Sequence, residues 1–312
     1  MVDTSAPIDA IEPDDPRCWP ALPLAQWADT CATLHRWSQI VGKVKLGLTP
    51  LVNHWWNVPL FVDARGLTTG AMPYRGRTLS LRFDFVDHAL VLENDAGVVH
   101  RLPLRPQSVA AFYAEFMAAL ARTGIEVAIW RMPVEIPDPV PFDEDFSHAS
   151  YDRDAVERFF RVLLSVDRVF GDFRAAFVGK CSPVHFFWGS FDLAVTRFSG
   201  RRAPERAGAD AITREAYSHE VISHGWWPGG GPVNEPAFYA YAAPEPDGLK
   251  TASIAPAAAS YNTDLSEFIL PYEAVRRAAD PAADLRSFLR TTYDAAARLA
   301  RWDRANLERT TV

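Results

Sequence analysis

The stretch Thr78-Leu79-Ser80-Leu81-Arg82-Phe83-Asp84-Phe85-Val86 alternates polar and apolar side chains with a period of two residues. Successive side chains of a β-strand point to opposite faces, so the leucines and phenylalanines share one face. A strand with one apolar and one polar face is typical of an antiparallel sheet that covers a core from one side. This stretch therefore predicts an antiparallel sheet in the first third of the chain.

Turn residues extend this strand into a larger sheet. Asp87-His88 and Asn94-Asp95-Ala96-Gly97 indicate turns, so we predict a meander over residues 67–104. Outside the meander the apolar and aromatic runs predict further strands at residues 54–62, 125–130, 184–198, 216–222, 237–242 and 267–270.

Long helices flank these strands. Apolar residues recur at spacings of three and four from Leu24 to Leu48, the pattern of a helix with one buried face. A second helix begins near Ser108 and a third after Asp152. The last helix has Asp280 as its N-cap, followed by a proline at its first position. We therefore predict an α+β fold of largely antiparallel sheets with flanking long helices.

A proline-rich segment divides the chain. Four prolines between Pro133 and Asp145 exclude an interior helix or strand there and indicate a stiff extended connector. The predicted organisation is an N-terminal arm at 1–23, a first α+β half at 24–132, a connector at 133–150 and a second α+β half at 151–312. Because both halves run from a long helix through strands to another helix, we hypothesise two pseudo-equivalent α-β-α units. A coincidence of common α+β order is the alternative.

Composition limits the class of function. The chain has 312 residues, 48% of them hydrophobic, and a net charge of −7. Its arginine cluster at 197–206 is diluted by acidic residues, so we expect no nucleic-acid partner. The three cysteines lack CxxC spacing, which disfavours a disulfide framework or a cysteine zinc site. The N-terminus does not resemble a signal peptide, and no apolar run approaches the roughly 18 residues of a membrane span. We expect a soluble, cytoplasmic protein without a membrane partner.

The segment Asn53-His54-Trp55-Trp56-Asn57 is the first candidate for a site. On a strand, His54 and Trp56 would share one face, and Trp55 and Asn57 the other. We take His54 as a candidate acid or base and the other three as candidate ligand-binding residues. The alternative is a hydrogen-bonded histidine in a packed sheet.

The segment Ser182 to Arg197 is the second candidate. We predict one long strand with a bulge at Gly189, which would bring His185 and Asp192 to the same face as an acid–base pair. Trp188 and Arg197 are candidate ligand-binding residues, with Arg197 pairing an anionic group.

The third candidate segment spans Ser218 to Pro228. His219 and Glu220 are candidate catalytic residues, and Trp226 and Trp227 are candidate ligand-binding residues. A second histidine follows His219 by five positions rather than four, so we predict no zincin-type metal site. The glycines that follow, at 229–231, with Pro232, indicate a loop that could act as a lid.

With these segments in hand, the chain resembles an uncharacterised bacterial family catalogued as domain of unknown function 5996. The matching stretches are Trp37–Lys43, Asn53–Trp56, Ala64–Thr69, Pro183–Gly200, Tyr217–Val221 and Glu235–Tyr241, within residues 27–302. The resemblance implies membership and no activity, cofactor or partner.

Three functions follow from the residues. The first is a small-molecule enzyme or ligand-binding protein, with a cleft between the halves lined by histidine and tryptophan from the three segments. The second is a non-catalytic scaffold or interaction module whose aromatic residues form the core. The third is a metal-dependent hydrolase. The sequence contains no Rossmann, Walker or EF-hand motif, so it names no cofactor, and it does not indicate the oligomeric state.

Overall fold

The computed structural model describes residues 18–231 and 233–309. In this part of the chain, two antiparallel sheets of six strands each are accompanied by seven α-helices. The predicted α+β class with antiparallel sheets is therefore confirmed. No helix among the described residues is long and apolar enough to cross a membrane.

Three of the four predicted helices begin where the sequence predicts, the first begins at Ala28 rather than Leu24, and three short helices are not predicted from the sequence. The side chains of Ser108, Asp152 and Asp280 each accept a hydrogen bond from a backbone N–H of the first helical turn, which satisfies groups that have no partner within the helix. The helices are α1 (Ala28–Leu48), α2 (Val109–Arg122), α3 (Arg153–Ala175), α4 (Ala211–Ala216), α5 (Tyr272–Arg276), α6 (Pro281–Leu299) and α7 (Arg304–Leu307).

The first sheet contains the predicted meander. Its strands are β1 (Phe61–Asp63), β2 (Gly66–Thr68), β3 (Met72–Tyr74), β4 (Arg77–Asp84), β5 (Ala89–Asn94) and β6 (Val99–Pro103). They lie in the order β1-β2-β4-β5-β6, with β3 pairing to β4. Leu79, Leu81, Phe83 and Phe85 are all buried, as the alternation of this stretch predicts.

The second sheet positions the candidate site. Its strands are β7 (His185–Phe187), β8 (Asp192–Arg202), β9 (His219–Trp227), β10 (Ala237–Ala243), β11 (Ser260–Asn262) and β12 (Glu267–Pro271), in the order β11-β12-β10-β9-β8-β7. One face carries Leu193, Trp226 and Phe238, which are buried against the helices. The opposite face carries Asp192 and Tyr239 and is markedly more polar.

One hydrophobic core connects both sheets. It extends from Trp19 to Trp302, and α3 and α6 cover the apolar face of the second sheet. The sheets also meet directly, because Leu60 and Phe186 exchange two backbone hydrogen bonds of 2.7 and 2.8 Å. The prediction of pseudo-equivalent halves is not confirmed. The connector contains neither helix nor strand, as predicted; the domain boundaries themselves stay a prediction.

Three strand predictions are wrong. The predicted strand 184–198 is a hairpin, because Phe187 pairs with Asp192 and the chain turns through Phe191 at a φ of 60°. His185 and Asp192 do share a face, through this hairpin rather than a bulge at Gly189. Residues 125–130 form no strand.

The segment around His54 is not a strand either. Asn53–Trp55 form a single 3-10 turn in which His54 has a φ of 58°, so the predicted alternation of faces over residues 54–57 does not occur. The predicted strand at 216–222 is correct from His219 onward, where β9 begins, whereas Ala216 is the last residue of α4. Of the predicted arm at 1–23, residues 1–17 lie outside the described residues, and Trp19 and Leu22 are buried in the core.

Candidate functional site

A cleft of about 770 Å³ lies between the polar face of the second sheet and a wall formed by α1 and the connector. The sheet contributes Asp192, Trp227, Tyr239 and Glu267, and the opposite wall includes His35. Ligand pockets are typically about 300–1,000 Å³, so a cleft of this size can hold a small organic molecule.

Asp192 is a buried carboxyl group in a fixed orientation. It is 5% exposed at the start of β8, where the Ser190 hydroxyl donates to Oδ1 and the Tyr239 hydroxyl donates to Oδ2 at 2.5 Å. Burial raises the pKa of Asp192, and the two hydroxyl donors act against that rise.

The position of Tyr239 depends on a glycine in the neighbouring strand. Tyr239 pairs with Gly225 of β9, and a Cβ atom on Gly225 would lie 2.2 Å from the Tyr239 hydroxyl. The ring therefore lies over the bare backbone of Gly225 and reaches Asp192 one strand further on. Trp227 packs beside Tyr239, with ring centroids 4.9 Å apart, and gives the cleft an aromatic wall.

Two further carboxyl groups face the same space. Burial and, next, the charge of Asp192 raise the pKa of Glu267 to about 7 and also raise the pKa of Glu135. Within the described part of the chain, no lysine, arginine or histidine offsets these effects on any of the three carboxyl groups. The cleft therefore concentrates acidic groups, and Arg36, which also lines it, is itself paired with Asp145.

Helix α1 holds the connector against the sheet. The Gln39 side-chain amide donates to Val134 O and accepts from Val134 N, both at 2.8 Å. This contact fixes the next residue, Glu135, beside Gly189, where an added Cβ would lie 2.6 Å from the Glu135 carboxylate. The hydrogen bonds between Gln39 and the Val134 backbone, together with the absence of a side chain at Gly189, thus place Glu135 at the cleft.

His35 on the same helix is a neutral wall residue. Its Nε2 lies 2.8 Å from Gly189 O and donates to it, and its ring packs on Phe191 with centroids 4.8 Å apart. Burial lowers the pKa of His35 to about 4, so the imidazole is uncharged at neutral pH. The neighbouring Arg36 is paired with Asp145 at 3.2 Å, which neutralises the cation on this wall.

The cleft continues into a second chamber of about 430 Å³. The two spaces share Tyr217, Tyr241 and Glu267, and the hydroxyls of the two tyrosines lie 2.9 Å apart. The predicted lid loop forms one edge of the main chamber through Gly229–Gly231, while Pro232 lies outside the described residues. Its movement stays a prediction.

The residues predicted from sequence fall into three places. Of the catalytic and ligand-binding candidates, Asp192 and Trp227 line the cleft. His54 and His219 meet elsewhere, with ring centroids 5.5 Å apart, and Trp56 packs on His54. Glu220 lies away from the cleft in an ion pair with Arg201 at 2.7 Å.

The other predicted residues do not line the cleft. His185 is 1% exposed, and neither ring nitrogen has a hydrogen-bond partner among the described residues. Arg197 is buried, stacks 3.4 Å from the Phe173 ring centroid and donates to Phe173 O. Trp226 lies in the core, and Trp188 is buried and donates to Val58 O at 3.0 Å. The Asn57 side chain accepts a hydrogen bond from Val52 N at 3.2 Å. Trp55 is partly buried.

Sequence reasoning missed His35, Glu135, Tyr239 and Glu267. Glu267 begins a strand that was predicted correctly, and its position on the polar face follows from the period of two. Glu135 and His35 come from an irregular segment and from a helix, so no local pattern connects them to the sheet. Among the described residues, no group of three or more His, Cys, Asp or Glu side chains is arranged to hold a metal ion.

Fold and cleft together define an α+β protein with two antiparallel sheets and an acidic, aromatic-walled pocket on one of them. The chain belongs to the Family of unknown function (DUF5996), whose model matches residues 19–309. No curated protein and no solved structure matches it.

Proposed function

We propose that this protein binds a small organic molecule in the main cleft and performs acid–base chemistry on it. The observation that carries the proposal is the convergence of Glu135, Asp192 and Glu267 with Trp227 and Tyr239 around a space of about 770 Å³. Perturbed carboxyl groups in a concave, partly apolar site are the pattern expected of a functional site.

The chemistry assigns different roles to two carboxyl groups. The pKa of Glu267 is raised to about 7, so both protonation states are populated near neutral pH, as an efficient proton donor or acceptor requires. Asp192 is held by two hydroxyl donors and would orient the ligand. The aromatic rings would cover the apolar part of the ligand.

The charge of the cleft narrows the ligand class. Three carboxyl groups face the space, and Arg36 on the wall is already paired with Asp145. A phosphate or another multiply charged anion would meet repulsion here. The ligand is therefore an uncharged or positively charged molecule.

A thermal-shift panel tests this function. Choline, spermidine and arginine represent cations, glucose and adenosine uncharged compounds, and ATP and glucose 6-phosphate anions. We expect stabilisation by a cationic or an uncharged compound, loss of the shift in Trp227→Ala, and retention in Trp130→Ala, whose indole is 68% exposed outside the cleft. Stabilisation by the anions alone, or an unchanged shift in Trp227→Ala, would contradict the proposal. A panel without any shift would favour the non-catalytic scaffold.

We also infer a cytoplasmic location in a bacterial cell. The resemblance to a bacterial family supports the source, and the thiols of Cys31 and Cys181, which form no disulfide, support a reducing compartment. Cell fractionation of the source organism tests this inference, and recovery from a secreted fraction would contradict it.

A further inference from the structure

A lysine and a histidine form a close pair outside the cleft. Lys180 Nζ lies 2.7 Å from His54 Nε2. On its other side, His54 Nδ1 lies 3.1 Å from Glu215 O and donates to it, which fixes the tautomer with the proton on Nδ1. The Nε2 lone pair therefore faces the amine and accepts from it.

The backbone at His54 and Trp55 adopts a strained conformation next to this contact. His54 and Trp55 have φ values of 58° and 61°, a left-handed conformation that is unfavourable for a non-glycine residue. The Glu215 carboxylate holds the strained turn by accepting from His54 N at 3.2 Å. Strain of this kind persists where the surrounding structure fixes it, commonly at functional sites.

The surroundings of the amine are aromatic. The ammonium of Lys180 lies 5.4 Å from the Trp56 ring centroid and 5.2 Å from that of Phe198. Burial lowers the pKa of Lys180, and Glu215 acts in the opposite direction. Burial, Lys180 and His219 lower the pKa of His54, so the imidazole is neutral at pH 7 and its Nε2 lone pair is unprotonated.

Lysine is rare in this protein, which makes the pair conspicuous. Of the 32 lysine and arginine residues only four are lysines: Lys43, Lys45, Lys180 and Lys250. The first two are buried, at 6% and 4% exposure, and Lys250 is an exposed residue 3.8 Å from the Glu245 carboxylate. Lys180 alone combines a partly exposed amine with a fixed base.

We propose that Lys180 is a nucleophilic lysine that condenses with a small aldehyde or ketone, with His54 as its base. The ammonium gives a proton to His54 Nε2, and the free amine attacks the carbonyl carbon to form a carbinolamine. The imidazolium returns the proton to the departing hydroxyl, which leaves as water. The net step converts an ammonium and a carbonyl compound into a protonated imine and one water molecule, and the bound aldehyde or ketone packs against the partly exposed ring of Trp56.

Reductive trapping tests the proposal. The full chain is incubated at pH 7 with benzaldehyde and sodium cyanoborohydride, and benzylation of each lysine is quantified by peptide mass spectrometry. We expect the initial labelling rate of Lys180 to exceed that of Lys250 severalfold, because burial lowers the pKa of Lys180 and His54 accepts a hydrogen bond from its amine. His54→Gln lowers labelling of Lys180 to the level of Lys250. Equal labelling of the two lysines in the unmodified sequence would overturn the proposal, as would unchanged labelling of Lys180 in His54→Gln.

A measurement without substitution guards against a folding defect in His54→Gln. Labelling of Lys180 in the unmodified chain should reach half its maximum below the ordinary lysine pKa of 10.5, and a half-maximum at or above that pH would overturn the proposal. Trp227→Ala, which alters the cleft, should label at Lys180 like the unmodified chain, and a loss there would contradict a separate site.

Discussion

Tyr239 on β10 donates a 2.5 Å hydrogen bond to Asp192 on β8, and its ring crosses the intervening strand β9 directly over Gly225. The contact joins three strands of the second sheet and fixes a carboxyl group at the floor of the cleft. The geometry of the candidate site therefore depends on the absence of a side chain at one position of β9.

Gly225→Ala should destabilise the protein. The new Cβ would lie 2.2 Å from the Tyr239 hydroxyl, so the ring must move, and overpacking of this kind costs about 1–3 kcal/mol. Urea unfolding measures the change. The matched control is Gly171→Ala on α3, where an added Cβ meets no atom within 4 Å and should stabilise the helix by roughly 0.5–1 kcal/mol. Equal effects of the two substitutions would show that the ring does not lie over Gly225.

Tyr239→Phe should also lower the free energy of unfolding. It removes a donor from the buried Asp192 carboxyl group, and an unsatisfied buried group costs about 1–3 kcal/mol. Tyr113→Phe removes the same atom from a half-buried ring on α2 that packs near Phe142, and serves as the control. Indistinguishable urea midpoints for the two variants would argue against the Tyr239 to Asp192 hydrogen bond.

Through Glu267, the free energy of unfolding should fall as the pH rises toward neutrality. Because the pKa of Glu267 is raised from 4.5 to about 7, the folded protein holds more protons than the unfolded chain across this window, and its free energy of unfolding falls as the pH rises. Glu267→Gln should reduce that fall by roughly 1–2 kcal/mol, since partial exposure screens the full shift.

The control for this pH series is Glu157→Gln, an exposed position on α3 paired with Arg161. Urea titrations at pH 4.5, 6 and 7.5 provide the comparison. If Glu267→Gln and the unmodified chain show parallel pH profiles, Glu267 does not titrate near neutrality.

His185 should affect the pH dependence of stability in the opposite direction, and His185→Leu tests this. Burial lowers the pKa of His185 to about 3, so the unmodified fold loses stability as the pH falls from 6.5 toward 3. Leucine removes this loss and removes two ring nitrogens that lack partners among the described residues. We expect stability at pH 7 to be unchanged within about 1 kcal/mol and acid sensitivity to be reduced. Loss of several kcal/mol at pH 7 would instead indicate an unrecognised polar role, and His100→Leu on β6 is the control.

Local patterns predicted the four long helices and the meander because capping residues and periodicity act within a few residues. The N-caps Ser108, Asp152 and Asp280 and the alternation from Leu79 to Phe85 are examples. The hairpin whose second strand begins at Asp192 was missed because its turn, Trp188 to Phe191, lacks the Asn-Gly or Asp-Gly pair that indicates a tight turn. An aromatic residue in a left-handed conformation takes the place that glycine usually fills.

The candidate site was harder to predict than the fold. Asp192 and Trp227 were identified because polar and aromatic residues stood out in their segments. Glu135 is placed at the cleft by the two hydrogen bonds between the Gln39 side chain and the Val134 backbone. No sequence spacing reveals this long-range contact. His185 lies on the same sheet face as Asp192 and is nevertheless fully buried, which the residue pattern alone does not reveal.

The proposed ligand-binding function is tested most directly by identifying the metabolites that the cleft retains. Purified protein is dialysed to equilibrium against a bacterial metabolite extract, and retained compounds are quantified by mass spectrometry for the unmodified chain, Trp227→Ala and Trp130→Ala. We expect the unmodified chain and Trp130→Ala to retain one or more uncharged or cationic metabolites, and Trp227→Ala to lose them. Retention of the same metabolites by all three proteins, or retention of phosphorylated anions alone, would contradict it.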